Sequence, residues 1–160
     1  MLQMSIIESE ALELLEFYKI KKYVTEFCYS NGAKQKASHI SVFEDNVNLT
    51  VELNRVAELK ATLSSDSFFP DIQFEDFRKE ASLLGLEGSM LTEEQFLLVK
   101  DATEISNTAI RFLKNRKLDL PYLAQLADDL EDNKIIVTEI DKIVDFDATV
   151  KNSASKELKR

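Results

Sequence analysis

Leu91-Thr92-Glu93-Glu94-Gln95-Phe96-Leu97-Leu98 carries the features of a helix N-terminus in its side chains. Thr92 can accept a backbone N–H as N-cap, Gln95 can reciprocate as the partner of a capping box, and the two glutamates suit the positive end of the helix dipole. Beyond them Leu98, Ala102, Ile105, Ala109 and Phe112 step by four, three, four and three. That spacing predicts a long helix with Phe112 on its inward stripe. Arg111, Lys114, Arg116 and Lys117 follow where cations favour the negative end of the same helix.

Working outward, Phe17, Ile20, Val24, Phe27 and Cys28 recur at helical spacing and predict a helix over residues 8–30. Asn31-Gly32 should end it, since both residues tolerate the left-handed conformation. A short helix over 33–40 is expected next. Over 46–64, Leu49, Leu53, Val56 and Leu63 share a face while Glu52, Arg55 and Glu58 are expected to look outward. Phe68-Phe69-Pro70-Asp71 is a break, because proline lacks a donor and pushes Phe69 out of the helical region. Helix resumes over 75–84, before a loop bracketed by Gly85 and Gly88.

Pro121 suits the first turn of a helix over 121–130, and Ile136, Ile140 and Ile143 mark another over 133–144. Phe146, Ala148 and Val150 alternate with polar residues for six positions, a short extended segment. Ser155 is then an N-cap for a helix over 156–160 that stops after one turn, too short to nucleate alone. The chain is therefore expected to be a piece of something longer. The fold expected is all-α, an irregular bundle of about six or seven amphipathic helices, with residues 1–152 as a helical core domain.

Composition agrees. Three Gly and two Pro in 160 residues fall far below the ~7% and ~5% of average usage, which counts against the turn-rich all-β folds. Twenty Lys and Arg against 29 Asp and Glu give a net charge of −9, opposite in sign to the footprint of a free-standing nucleic-acid-binding domain. One cysteine and one histidine exclude an internal disulfide and a clustered Cys/His zinc site. The start has no basic n-region, and no run approaches the ~20 apolar residues of a membrane span. A cytoplasmic protein with no membrane partner is expected, and Asn48-Leu49-Thr50 is read as an accidental match to the glycosylation pattern.

No set of nucleophile, base and metal ligands is recognisable, so this segment is expected to be neither an enzyme nor a cofactor or metal binder. With Gly only at 32, 85 and 88, it has no phosphate-cradling loop. Cys28 is expected to be a buried structural thiol and His39 a cap or loop residue. The acids Asp128, Asp129, Glu131 and Asp132 are read as a solvated face rather than magnesium ligands. Two basic clusters remain as candidate contacts to nucleic-acid phosphate or to an acidic neighbouring domain. Lys19, Lys21 and Lys22, with Lys34 and Lys36, face only Glu26 as an acid between residues 19 and 36, and Arg111, Lys114, Arg116 and Lys117 form the second. The commoner fate of such clusters is solvated charge.

Several stretches together resemble the N-terminal part of bacterial MutS-type proteins of the second branch, which lack the mismatch-reading domain. They are Leu15-Glu16-Phe17-Tyr18-Lys19-Ile20, Phe69-Pro70-Asp71, Leu91-Thr92-Glu93-Glu94-Gln95-Phe96, Pro121-Tyr122-Leu123 and Val150-Lys151-Asn152-Ser153-Ala154-Ser155-Lys156-Glu157-Leu158. The last resembles the family's Val-x-Asp-Ser-Ala-Ser-x-x-Leu run. Asn152 stands where the family usually has Asp, Lys156 where it often has Pro, and Tyr18 where it often has Asp. The resemblance implies that residues 153–160 begin a truncated lever helix, with Asn152, Ser153 and Ser155 at its entrance. It further implies a full-length homodimer in which this core links a DNA-binding clamp to an ATPase domain, with ATP and magnesium bound outside this segment. Its partners would be the remaining domains of its own chain, and DNA, or in some bacteria the ribosome, through those domains. The rival reading is an acidic helical protein-protein interaction module unrelated to DNA.

Overall fold

The computed structural model describes residues 9–64, 68–156 and 158, and among them every regular element is helical. In chain order they are α1 Ser9–Leu14, α2 Phe17–Glu26, α3 Asn31–Ser38, α4 Asn46–Leu63, α5 Arg78–Leu84, α6 Glu93–Asn115, α7 Pro121–Ala124 continued by a 3-10 turn Gln125–Ala127, and α8 Lys134–Ile143. The all-α fold expected from composition and periodicity is the fold observed.

Helix α6 is the spine, with α8 packed along it, α5 beside it, and α7 and the 3-10 turn also against it. Its N-terminus forms as expected. Gln95 N–H donates to the Thr92 hydroxyl at 3.4 Å and Thr92 N–H donates to Gln95 Oε1 at 3.0 Å. Thr92→Ala should therefore lower stability by ~0.5–2 kcal/mol without loss of helix content, read from the denaturant midpoint.

The buried residues of α6 are Val99, Ala102, Asn107, Ile110 and Leu113, not the line through Leu98, Ile105, Ala109 and Phe112, which are half-buried. Only Ala102 is common to both. Neighbours on more than one side of α6 widen and rotate its covered sector, and the sequence spacing contains no information about them. Leu113 joins Leu120, Leu123 and Ala127 in the core, with Phe69 and Phe112 packed at its edge in an edge-to-face pair 5.1 Å between centroids. Polar ties complete the frame. Asn133 N–H donates to Oδ1 of buried Asn107 at 2.8 Å, Lys100 pairs with Asp141 at 2.6 Å, and Gln95 Nε2 donates to Glu80 of α5 at 3.1 Å.

Elsewhere the local reading is corrected. The helix expected over 8–30 is two helices, broken at Leu15-Glu16, where Glu16 takes a left-handed φ of 53°. Asn31-Gly32 starts α3 rather than stopping α2, because Ser30 caps it by accepting Ala33 N–H at 3.1 Å. The helix expected over 121–130 ends regular α geometry at Ala124, and the extended segment near 146–150 is a tight loop closed by one antiparallel bridge, Val144 to Val150. Residues 152–156 are turns and bends instead of the start of a lever helix, consistent with the cost of nucleating a single turn. Ser155 Oγ does accept Leu158 N–H at 3.3 Å; Glu157, Lys159 and Arg160 lie outside the described residues.

The largest correction concerns α4, which is turned over. Glu58 accepts Tyr122 N–H at 3.0 Å and Leu123 N–H at 2.7 Å, Arg55 Nε donates to the Tyr122 carbonyl at 3.3 Å, and Thr62 is buried. The supposedly inward Leu53, Val56 and Leu63 are 61%, 56% and 65% exposed. The first N–H groups of any helix lack intrahelical partners, and a carboxylate from α4 supplies them at α7.

Candidate functional site

Of the sequence candidates, the first basic cluster brings several lysines to one concave feature, whereas the second contributes only Arg111 to a separate hollow beside Asn107 and Lys134. Helices α2 and α3 pack against each other, and between them lies an open cleft of ≈ 610 Å³ lined by Tyr18, Lys21, Lys22, Thr25, Glu26, Lys34 and Ser38. Spacing of three and four along α2 puts Tyr18, Lys21, Lys22 and Thr25 on one side of that helix, and Lys34 and Ser38 are four apart on α3. The lysines are lightly held. Lys22 Nζ is 3.9 Å from Glu26, Lys21 Nζ lies 5.8 Å from the Phe17 ring centroid, and Lys34 has no ion pair among the described residues. Thr25 and Ser38 hydroxyls are turned to backbone, donating to the Lys21 carbonyl at 2.7 Å and the Gln35 carbonyl at 2.8 Å. Each oxygen still has lone pairs but no proton to offer an anion.

Lys19 does not line the cleft; it is spent on Glu16 at 2.5 Å. Lys34 completes the cleft. In sequence it belonged to the cluster without being singled out, and its signal was the Lys34/Ser38 spacing on a helix facing α2.

The second cluster is engaged in place, two of its four cations by acids. Arg111 pairs with Asp132 at 2.9 Å, Lys117 pairs with Asp128 at 2.8 Å, Lys114 donates to the Leu130 carbonyl at 2.5 Å, and Arg116 lies over the Phe112 ring at 4.7 Å. Arg111, Lys114 and Lys117 fasten residues 128–132, which lead into α8, to the C-terminal end of α6, and none of the four cations lines the α2–α3 cleft. The acids opposite them, read as a solvated face, are half engaged in those pairs. Asp132 also lies 3.8 Å from Lys134 and keeps its Oδ1 buried without a hydrogen-bond partner. Among the described residues no group of three or more His, Cys, Asp or Glu is arranged to hold a metal ion.

His39 is the C-cap of α3, its Nδ1 2.7 Å from the Gln35 carbonyl. Cys28 is only half-buried rather than buried, its thiol donating to the Val24 carbonyl at 3.3 Å. At the entrance named from the family pattern, Asn152 and Ser153 sit in turns, and the segment is anchored just before them. Lys151 N–H donates to the Ile143 carbonyl at 2.8 Å, and its Nζ to the Asp141 carbonyl at 2.6 Å, so residue 151 is fastened to the end of α8.

A link between α3 and α5 borders the cleft's helices. Arg78 Nη1 donates to Gln35 Oε1 at 3.3 Å, and the same guanidinium hydrogen-bonds Asp76 and holds its carboxyl down at about 2. A folded value below the ordinary 3.8 makes this a contribution present above pH ~4 and lost as pH falls through 2. An NMR titration should place the Asp76 midpoint near 2, and Arg78→Ala should return it toward the ordinary carboxylate range.

Over 156 residues, 96% of its length, the chain is 24% identical to the Endonuclease MutS2 of Lactobacillus helveticus (strain DPC 4571) and to that of Lactobacillus acidophilus (strain ATCC 700396 / NCK56 / N2 / NCFM). It is similar to MutS2. The chain spans only 20% of the length of either relative. No family model matches it. Among the described residues no helix is long and apolar enough to cross a membrane.

Proposed function

We propose that this chain is the core and lever-base segment of a MutS-type DNA repair or recombination-control ATPase, joining a DNA-binding clamp to an ATPase domain that lies elsewhere. The observation that carries the reading is similarity to MutS2 running along 96% of the chain, on an all-helical frame built round α6. In that role the segment works mechanically. α7 and α8 each pack against α6, and the fastening of Lys151 to the end of α8 ties the following residues to α6 through α8. A displacement arriving at Asn152, Ser153 and Ser155 is then passed to a packed body and not absorbed in a loop. ATP and magnesium belong to the other domains, and so do the main contacts to DNA or ribosome and any nuclease activity, and the full-length protein is a homodimer. The cytoplasm is the compartment that fits.

The charge distribution sets the test. Residues 41–110 hold 14 acids against five Lys and Arg, and residues 128–147 hold eight against two, so most of this surface repels phosphate. The cleft offers three lysines, and at about −0.9 per neutralised phosphate the expected salt slope on duplex DNA is roughly −3. Fluorescence anisotropy at ~150 mM salt should show binding no tighter than micromolar, removed by Lys21→Gln, Lys22→Gln and Lys34→Gln together and unaffected by Lys117→Gln. Calorimetry should show no Mg-ATP binding. Submicromolar duplex affinity, or micromolar nucleotide affinity, overturns the reading by placing the grip or the ATPase site in this core.

A further inference from the structure

We propose that α4 is a self-association surface on which two copies of this chain pair antiparallel about a two-fold axis at Val56. The outer face of α4 is largely apolar and, apart from half-buried Leu49, uncovered. Leu53, Val56 and Leu63 are more than half exposed, and Leu59 is 39% exposed. The inner face is already committed through Arg55, Glu58 and Thr62, so the stripe is available without disturbing the fold.

What selects a second copy as the occupant is the order of residues about Val56. Leu49 and Leu63 lie seven positions to either side, Leu53 and Leu59 three, and Glu52 and Lys60 four. An isologous antiparallel pair centred there sets each residue level with its mirror position. Leu49 meets the level of the partner's Leu63, Leu53 that of the partner's Leu59, and Glu52 that of the partner's Lys60, with the same three matches repeated by symmetry. A parallel pair would set Glu52 against the partner's Glu52 and Lys60 against the partner's Lys60, two like-charge juxtapositions. Charge therefore fixes the direction of pairing as well as permitting it. Lys60 has no ion pair among the described residues, and the Glu52 side chain, although 2.5 Å from Arg55, stays 46% exposed. A pair of 18-residue helices is about 27 Å long. Its contact lies at the small end of specific interfaces, so the dimer should be reversible with a Kd of roughly 10–100 µM.

The inference does not rest on the MutS-type reading: a monomer leaves that reading standing, and strong DNA or nucleotide binding leaves this one standing. Sedimentation equilibrium of the 160-residue chain should show a monomer-dimer equilibrium. Lys60→Glu and Glu52→Lys should each weaken it about tenfold or more, since each variant creates two like-charge juxtapositions per dimer. An equimolar mixture of the two variants should dimerise again, because Glu then meets Lys at every level. Circular dichroism of each variant checks that the helices persist. On a Cys28→Ser background, Val56→Cys should oxidise to a covalent dimer, whereas Val47→Cys, far from the axis, should not. A chain that stays monomeric at several hundred micromolar, a dimer indifferent to both charge reversals, or equal cross-linking at 47 and 56 overturns the proposal. So does protection of Val56 by another segment of a longer form of the chain.

Discussion

Leu123→Ala is expected to lower the unfolding free energy by about 3 kcal/mol, within the ~2–5 kcal/mol range for truncating a buried leucine. Leu123 is 6% exposed and sits among Leu113, Leu120 and Ala127, where Phe69 and Phe112 close the edge. The neighbours that could collapse into the space are constrained. Pro121 limits the backbone of α7, and the Leu123 N–H is held by Glu58 at 2.7 Å, so much of the volume should remain as a cavity. In a chain of this size each kcal/mol moves Tm by roughly 2–4 °C, giving a fall of about 6–12 °C by calorimetry. The denaturant slope should be unchanged, because the surface exposed on unfolding is nearly the same. A loss smaller than that of Thr92→Ala would show that this cluster is not the core.

The second large effect is electrostatic. Glu58→Ala removes the acceptor of two backbone N–H groups at the start of α7, and hydrogen bonds to a charged group contribute about 1.5–3 kcal/mol each. Because the site is only part-buried, water can serve the orphaned donors, and the expected loss is about 2–3 kcal/mol in total, not the full sum. Glu58→Gln keeps Oε1 as an acceptor but turns the second position into a donor facing an N–H, so it should fall between wild type and alanine. The comparison isolates the charge: a glutamine variant as stable as wild type would mean that one neutral acceptor serves α7 as well as the carboxylate does. Unfolding followed at Tyr122 should show the α4–α7 contact loosening first in Glu58→Ala.

The Glu58 variant lies where periodicity alone misled. The apolar stripe of α4 is plainly readable, and the expectation that it faces inward follows from ordinary practice. The fold places Glu58 and Arg55 inward because α7 presents backbone groups that need partners. Those groups are 64 and more residues away in sequence, and no window along α4 contains them. The candidate cleft was legible to a similar depth. Lys21 and Lys22 were visible as a cluster, and their convergence with Lys34 needed the packing of α2 on α3. The second cluster is basic too, yet its four cations are each engaged nearby, by Asp132, Asp128, the Leu130 carbonyl and the Phe112 ring.

The sequence by itself determined what depends on near neighbours: the helical class, the capping box at Thr92, the break at Pro70, the boundaries of α4 and α8 to within a residue or two, and the lack of a phosphate-cradling loop. These follow from backbone donors, proline's missing N–H and side chains three or four residues apart, all of which act within a turn. Tertiary structure alone decided which face of α4 and α6 is covered and which lysines share a cleft. The reason is physical. An amphipathic pattern states that one face differs from the other, but only the elements packed against a helix determine which face leaves water.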